Sequence, residues 1–243
     1  MDERHGGGSH QGEIQGWILS GARPQAPESA GLLAAIPEAD RVGSQPQKTE
    51  DLAPNLLPEN QKKAEAEGGV ILFEDESIFQ QSGTTCKTYA KRGEGTFVKH
   101  KPCRKSCKVF GAVSIGANPK FHFRFEKNRF NTGTYLKFLK RLIRYYSRRG
   151  KKIHLIADNV RFHKAKSLLD WIEDRREQIE LHFLPPYSPN LNPVEMIWQK
   201  TKRAATHNRF FNTLEDLRER LFRRFNRFQG NPASLRNMVL SWT

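Results

Sequence analysis

Three acidic residues stand at places in the sequence where side chains could meet around a ligand. Asp75 follows the apolar run that begins at Val70, Asp158 ends the run "KKIHLIAD", and Glu195 lies in the first turn of a helix predicted from Pro193. Open α/β sheets bind ligands beyond the carboxyl ends of their strands. Three carboxylates gathered there repel one another unless a cation neutralises them, and hard oxygen ligands favour Mg²⁺. Two such ions about 3.5–4 Å apart can hold the attacking and leaving oxygens of a phosphodiester displacement.

Each acid also has a plainer explanation that the residues alone leave open. Asp75 can be one of three consecutive solvated charges at a strand end. Asp158 can cap the helix that follows it. Asn192 is a good N-cap with Pro193 at the first helical position, so Glu195 can complete a capping box instead of binding a metal.

A proline-rich loop, "LPPYSPNLNP", leads into the helix that carries Glu195. Prolines fix φ and narrow the unfolded ensemble, so the loop is expected to deliver the chain to one defined helix start. The helix is expected to pack through residues at helical spacing, which are Val194, Ile197, Trp198, Thr201 and Ala205. Glu195 lies at the edge of this stripe, so its position is set by the loop and the packed helix together.

The other apolar segments predict an α/β fold with a mixed sheet and helices on both faces. Strands are expected in residues 70–73, 108–116, 120–125, 151–158 and 179–184. Helices are expected in residues 132–150, 163–175, 193–205 and 213–228. The helix at residues 163–175 should bury one face made of Ala165, Leu168, Leu169 and Ile172. The early strands are too close in sequence for crossover connections, which excludes an all-parallel sheet. Residues 77–107 are irregular and indicate a loop or hairpin insertion.

The charge of the chain is large and unevenly distributed. The 243 residues carry a formal net charge of +15. Residues 1–68 contain 6 Lys or Arg and 11 Asp or Glu, whereas residues 69–243 contain 35 and 15, so the second part has a net charge of +20. Such a charge indicates a polyanionic partner, nucleic acid first, with a merely well-solvated surface as the alternative.

Neither a membrane partner nor a disulfide framework is expected. No apolar run approaches the ~20 residues that span a bilayer, and the amino terminus "MDERHGGGSH" has no apolar core for a signal peptide. Three cysteines without a disulfide spacing favour reduced thiols in the cytoplasm. Cys86, His100, Cys103 and Cys107 can be drawn as a zinc site, although their spacing fits no common pattern.

Four stretches of the sequence, taken in order, resemble the catalytic domain of DDE transposases. They are "VILFEDESIF", "KVFGAVSIG", "KKIHLIADNVRFHKAK" and "IELHFLPPYSPNLNPVEMIWQKTKRAATHN", and the resemblance covers residues 61–228. The motif "LPPYSPNLNPVE" followed by an aromatic residue is highly specific. With 36 residues between Asp158 and Glu195, the spacing resembles that of the bacterial insertion-sequence branch of the mariner superfamily.

The resemblance implies a ribonuclease-H-like fold, as in retroviral integrases, and a metal-dependent reaction on DNA. Asp75 matches the first catalytic Asp, Asp158 the second and Glu195 the third acid, which together hold two Mg²⁺ or Mn²⁺ ions. The implied reaction is hydrolysis at the transposon end, followed by attack of the new 3′-hydroxyl on target DNA. Cut-and-paste insertion at TA dinucleotides and a homodimer assembled on double-stranded DNA are further implications.

The resemblance also suggests which residues contact DNA. Asn159, His163 and Lys164 follow the second Asp, although an ordinary place in a helical turn is an equal explanation for His163. A basic surface for phosphates is expected from Lys200, Lys202, Arg203, Arg218, Arg220, Arg223, Arg224 and Arg227. Such contacts weaken steeply with salt and carry no sequence information.

The predicted organisation has three parts. Residues 1–66 are rich in Gly, Pro, Ser, Ala and Gln and are predicted to be mostly disordered, with a short helix ending at Gly68. Residues 67–230 form the DDE catalytic domain, and residues 231–243 form a carboxyl-terminal tail. The family's amino-terminal helix-turn-helix region has no counterpart in residues 1–60, so a truncated or frame-split copy is one expectation. Two alternatives to an active, nucleoid-associated transposase are a catalytically silent DNA-binding relic and a ribonuclease-H-type nuclease.

Overall fold

The computed structural model describes residues 17–19, 53–87, 97–99, 103–186 and 188–240. In chain order the strands are β1 (Trp17–Leu19), β2 (Val70–Gln80), β3 (Phe97–Lys99), β4 (Ser106–Ser114), β5 (Phe121–Glu126), β6 (Ile153–Ala157) and β7 (Ile179–Phe183). The helices are α1 (Ala53–Ala66), α2 (Thr132–Ser147), α3 (Lys166–Glu173), α4 (Pro193–Thr201), α5 (Leu214–Gly230) and α6 (Pro232–Leu240). Short turns of 3₁₀ helix span Arg161–Lys164 and Pro189–Leu191, and a π-helical turn, Lys202–Thr206, extends α4.

The centre of the fold is a five-stranded mixed sheet with the order β5-β4-β2-β6-β7. β2, β4 and β5 follow one another as antiparallel neighbours, whereas β6 pairs parallel with β2 and β7 parallel with β6. The short turn between β4 and β5 permits only antiparallel pairing, whereas residues 81–105 join β2 to β4 and the later strands are joined through helices. The predicted mixed sheet is therefore confirmed. β1 and β3 form a separate two-stranded antiparallel ribbon.

Helices cover both faces of the sheet, as the sequence predicts. Helices α4, α5 and α6 pack on the face that carries Ile71 and Phe73, and α1 adds Ala64 to the same core. Helices α2 and α3 pack on the opposite face, which carries Leu72 and Leu155. Alternation along β2 divides its apolar run between these two cores, which is why the run is continuous.

Strand β2 is longer than the sequence predicts, and this changes where Asp75 lies. β2 pairs with β6 only from Val70 to Phe73, but it continues beside β4 to Gln80. Asp75 is therefore inside the strand, opposite Gly111, rather than at its end. The polar residues after Phe73 remain part of the strand because each of them pairs with a residue of β4, from Glu74 with Ala112 to Gln80 with Ser106.

Two terminal segments also differ from their predicted state. The last fourteen residues of the segment predicted as disordered form α1, where Asn60 and Ala64 are buried, and the helix ends near Gly68 as expected. The predicted tail contains α6, whose Leu235, Met238 and Val239 enter the core. Most of residues 1–52 and the residues 88–96 and 100–102, including His100, lie outside the described residues.

Two smaller expectations can be compared directly with the structure. Leu169 is 39% exposed, so the prediction that it faces inwards is wrong, whereas Leu168 and Ile172 are buried and Ala165, the N-cap of α3, packs against the same core. Of the three cysteines drawn as a zinc site, only Cys107 is buried. Among the described helices, none is both long and apolar enough to cross a membrane.

Candidate active site

An open cleft of about 440 Å³ lies at the edge of the sheet where β6 and β7 end. Its walls come from β2, the segment after β6, the proline-rich loop and the start of α4. The lining residues include Asp75, Asp158, Asn159, Leu184, Pro185, Pro186, Ser188, Asn192 and Glu195. The three acids singled out in the sequence therefore share one cleft, although they come from distant parts of the chain.

Asp75 and Asp158 are neighbours because of the parallel register of β2 and β6. Phe73 pairs with Ile156, and the same register carried two residues further puts Asp75 level with Asp158. Carboxylate oxygens of Asp75, Glu76 and Asp158 all lie within 4.8 Å of one another. The early end of β6 leaves this part of β2 without a partner on one side, which opens the cleft.

Asp75 is held in an environment that disfavours its charged form. Burial raises the pKa of Asp75 to about 8, and the nearby negative charges of Glu195 and Glu76 contribute to the increase. One hydrogen bond acts in the opposite direction, because the indole Nε1–H of Trp198 donates to Asp75 Oδ2 over 2.8 Å. Glu195 lines the same cleft as Asp75, and its negative charge is the largest contribution to the raised pKa of Asp75 after burial.

The indole of Trp198 reaches Asp75 because the sheet has a gap for it at Gly111. A Cβ atom on Gly111 would lie 2.4 Å from Cη2 and 2.5 Å from Cζ2 of Trp198, which is far inside van der Waals contact. Edge contacts with Phe79 and Phe121, each at 6.0 Å between ring centroids, fix the ring on its remaining sides. Helix α4 is thus locked to the strand that carries Asp75.

Glu195 is positioned by Asn192. The Asn192 side chain accepts a hydrogen bond from the amide of Val194 (3.1 Å) and donates one to the carbonyl oxygen of Glu74 (2.9 Å). Asn192 thereby caps α4 and ties its first turn to β2, one residue from Asp75. In the described structure both α2 and α5 have a reciprocal capping box, but α4 is capped by Asn192 alone. The capping-box explanation of Glu195 is therefore not what the structure shows.

The proline-rich loop is anchored at its start by two hydrogen bonds. The amide of Leu184 donates to the carbonyl oxygen of Ala157 (2.9 Å), which continues the pairing of β6 with β7. The side-chain amide of Asn159 donates to the carbonyl oxygen of Leu184. These bonds place the loop beside Asp158, so the loop connects the second acid to the third.

Beneath the cleft, on the other face of β2, lies a buried cluster that the sequence alone did not reveal. His163 Nε2 lies 3.1 Å from Glu76 Oε1 and 3.6 Å from Glu74 Oε2, and its Nδ1 lies 3.1 Å from Asp158 Oδ1. Burial by itself lowers the pKa of His163, but bonds with Asp158 and Glu76 and the charge of Glu74 outweigh it and raise the pKa to about 10. A charged His163 thus supports the ionised form of Asp158, whose pKa is lowered despite its partial burial.

Glu74 completes this cluster as a buried acid. It is fully buried, and neither carboxyl oxygen has a hydrogen-bond partner among the described residues. Burial raises the pKa of Glu74 well above its usual range, and Glu76 raises it further. Burial thus favours the neutral form of Glu74, and the nearby His163 acts in the opposite direction.

The predicted DNA-contacting residues differ in their accessibility. His163 is completely buried, so it cannot reach a DNA strand in this structure and instead orients Asp158. The side chain of Asn159 is engaged with Leu184 at the cleft wall. Lys164, Lys200 and Arg203 are exposed and Lys202 is half-buried, and none of the four lines the cleft.

The residues of the cleft fit a divalent cation. Their side chains offer hard carboxylate oxygens, with those of Asp75, Glu76 and Asp158 within 4.8 Å of one another, and after burial the charges of Glu195 and Glu76 add to the rise in the pKa of Asp75. Oxygen ligands of this type suit Mg²⁺ and Mn²⁺. A cation bound here would favour the ionised form of Asp75, so metal binding is expected to release a proton at neutral pH.

Comparisons with known proteins agree with this geometry. A family model described as DDE superfamily endonuclease matches residues 70–218, which is more than half of the chain. The insertion element IS630 uncharacterized 39 kDa protein of Shigella sonnei is 33% identical over 99 residues, covering 40% of this chain and 25% of that protein. The transposable element Tcb2 transposase of Caenorhabditis briggsae is 28% identical over 164 residues, covering 60% of this chain and 58% of that protein.

Solved structures show the same fold. The mariner Mos1 paired end complex with Mg has a TM-score of 0.57 at 18% identity, covering 89% of this chain and 65% of that chain. The Mos1 transposase paired-end complex with left transposon end has a TM-score of 0.54 at 19% identity. The ribonuclease-H-like fold is thereby confirmed.

The matched regions cover only 25% to 64% of the length of the curated relatives. The family model, which matches residues 70–218, includes Asp75, Asp158 and Glu195. The chain belongs to the DDE superfamily endonuclease family, in the branch of the bacterial insertion-element and mariner transposases.

Proposed function

We propose that this chain is the catalytic domain of a DNA transposase that cleaves and joins DNA strands with divalent metal ions. Asp75, Asp158 and Glu195 are the proposed metal ligands and catalytic residues. The observation that carries the proposal is their convergence on one cleft, where burial and the negative charges of Glu195 and Glu76 raise the pKa of Asp75 to about 8. Family membership supports the reaction class, and the Mos1 neighbours include complexes with Mg and with Mn.

Each part of the site has a separate role in this proposal. Two Mg²⁺ or Mn²⁺ ions, when bound, would activate a water molecule or a 3′-hydroxyl and stabilise the leaving oxygen of the phosphodiester. Trp198 holds Asp75 in place through its N–H, and His163 holds Asp158. Asn192 fixes the start of α4, so Glu195 is presented to the cleft without rearrangement.

The finer features of the reaction extend the same proposal. Residues 67–230 are the proposed catalytic unit, and α6 belongs to it structurally because Leu235, Met238 and Val239 are part of its core. Double-stranded DNA is the proposed substrate, with cut-and-paste movement, a TA target and a homodimer formed on DNA. The names of two relatives, a Tcb2 transposase and a Tc3 transposase, support DNA transposition as the process.

A plasmid-nicking assay in Mg²⁺ or Mn²⁺ tests the role of Glu195. Glu195→Gln keeps the size of the side chain and leaves the Asn192 cap intact, but it removes a charged ligand. We expect nicking to fall by more than about 100-fold, because loss of an outer-shell partner alone costs about 10–100-fold. Glu177→Gln is the matched control, since the Glu177 side chain is 90% exposed at the end of α3.

The same assay separates the alternatives. Equal rates for the parental protein and Glu195→Gln would show that Glu195 has no catalytic role. Parental protein that folds and binds DNA but never nicks it would be a relic. Faster cleavage of an RNA–DNA hybrid than of duplex DNA would identify a ribonuclease-H-type nuclease.

A further inference from the structure

Helix α2 has an outer surface of a single charge sign. Its 16 residues include no Asp or Glu but four basic residues, Lys137, Lys140, Arg141 and Arg144. All four are exposed, whereas the opposite side of the helix is buried in the core through residues such as Leu139. An amphipathic helix commonly has charges of both signs on its solvent face, so this composition calls for a physical reason.

Ion pairing within the protein does not provide that reason. Among the described residues, no carboxylate lies within salt-bridge distance of these four side chains or of Arg148 and Arg149. Arg141 donates to the carbonyl oxygen of Phe123 (3.3 Å), and Lys140 lies 5.9 Å from the ring of Trp171. Neither contact neutralises a charge.

The basic surface leads into a cavity of about 530 Å³ at the carboxyl end of α2. Five basic side chains and no acidic one line it, namely Lys120, Arg141, Arg144, Arg148 and Arg149. His122 also lines the cavity, but burial and the neighbouring Arg141 and Arg149 lower its pKa to about 4, so it is neutral. The negative end of the helix dipole favours a cation in the last turn, but it does not account for Lys120, which comes from the turn before β5.

α2 packs on the opposite face of the sheet from α4 and α5, which carry the other predicted basic residues. The surfaces of α2 and α5 meet at the β5 edge of the sheet, where Arg141 lines one pocket with Glu215, Arg218 and Glu219 and where Gln229 lines the basic cavity. The first turn of α2 adjoins the segment after β6, where Thr132 Oγ1 donates to the carbonyl oxygen of Phe162 (3.2 Å). From there the helix runs away from the cleft for about 24 Å, at 1.5 Å per residue.

We propose that the basic face of α2 and the cavity at its end bind the phosphodiester backbone of DNA at a surface distinct from the acidic cleft. Guanidinium groups bind phosphate in a bidentate manner, and the length of α2 corresponds to about seven base pairs at 3.4 Å each. An anionic membrane is a poorer partner, because the apolar side of α2 is already buried and cannot insert into lipid. The proposal rests on DNA being the substrate but does not require an active cleft.

A DNA-binding measurement in EDTA tests this surface independently of metal and cleavage. The full chain is titrated against a fluorescent duplex of about 30 base pairs between about 50 and 200 mM salt. Arg144→Gln with Arg148→Gln should weaken binding at least about tenfold near 0.1 M salt and reduce the log–log salt slope by about 1.8, since each lost phosphate contact contributes about 0.9. Arg175→Gln with Arg176→Gln changes the charge equally at the end of α3, where carboxylates lie nearby, and should leave both quantities unchanged.

Three outcomes would overturn the proposal. One is that the α2 double variant unfolds at the same temperature as the parental protein and binds the duplex with unchanged affinity and salt slope. A second is an equal loss in the α3 double variant, which would reflect net charge rather than a site. A third is that the α2 double variant loses binding of inorganic phosphate or of anionic vesicles but still binds the duplex like the parental protein. None of these results bears on nicking by the cleft, so failure here leaves the proposed function to its own assay.

Discussion

The hydrogen bond from Trp198 to Asp75 gives the sharpest prediction about how the site is positioned. Trp198→Phe retains an aromatic ring against Phe79 and Phe121 but removes the only indole N–H that reaches Asp75 in the described structure. The N–H stabilises the carboxylate form and so lowers the pKa of Asp75. Without it, the pKa of Asp75 moves further above about 8, and protons compete more strongly with a metal ion at neutral pH.

The size of the effect follows from the type of contact. Partners that orient a metal ligand without touching the metal typically contribute about 10–100-fold in metal affinity. Isothermal titration with Mn²⁺ at pH 7 should therefore show a loss of this size for Trp198→Phe. At pH 9 the carboxyl ionises more readily in both proteins, so the difference should shrink. Trp171→Phe, on α3 and away from the cleft, should bind Mn²⁺ like the parental protein at both pH values.

Two results would refute this reasoning. If Trp198→Phe binds Mn²⁺ at pH 7 as tightly as the parental protein does, the indole N–H does not control the ionisation of Asp75. A loss of equal size at pH 7 and pH 9 would point to a displaced α4 rather than to the charge of Asp75. Thermal unfolding of each variant identifies the second case, because a displaced helix also lowers the melting temperature.

Other predictions test the supports of the same site. Gly111→Ala forces a Cβ against Trp198 and should destabilise the fold by about 1–3 kcal/mol, with weaker Mn²⁺ binding, as measured by thermal unfolding and titration. Asn192→Ala removes the cap of α4 and its tie to β2, and should lower both stability and nicking, whereas Thr213→Ala at the cap of α5 should lower stability alone by about 1 kcal/mol. The metal-free protein should lose stability as pH rises from the ordinary Asp75 pKa of 3.8 to about 8, because the folded state keeps a proton that the unfolded state releases. Asp75→Asn should weaken this dependence, leaving the part that comes from Glu74, Glu76 and His163, and should be more stable than the parental protein at pH 8 in denaturant titrations.

Much of the fold was predictable because its signals are local. The continuous apolar runs identified the buried strands, and the stripe of Val194, Ile197 and Trp198 identified the inner face of α4. The short turn between the strands expected at residues 108–116 and 120–125 fixed their antiparallel pairing. Asn192 was recognisable as a helix cap from its place before Pro193.

Other features depend on pairing between distant residues and could not be predicted. Asp75 lies inside β2 because β4 pairs beyond the end of β6, and a single sequence carries no signal for that register. The opening at Gly111 for Trp198 and the bond from Asn192 to Glu74 join segments about a hundred residues apart. Helix α6 is short and weakly amphipathic, so only its contacts with the core distinguish it from a tail.

The cluster beneath the cleft also required the structure. His163 follows Asp158 closely in sequence, which suggested DNA contact, but the turn of Arg161–Lys164 directs its ring inwards to Glu76. A signal for this existed in the three consecutive acids Glu74 to Glu76, since alternation along a strand must send two of them to the inner face. That arrangement gives the cleft a buried positive charge on the side opposite to Glu195.

The most direct test of the central claim is to locate bound metal. Anomalous scattering from crystals of the protein soaked in Mn²⁺ should show two ions about 3.5–4 Å apart, with oxygens from Asp75, Asp158 and Glu195 as their protein ligands. Crystals of Glu195→Gln should lose at least one of them. Absence of Mn²⁺ from the cleft, or ions bound without these three side chains, would contradict the assignment of the site.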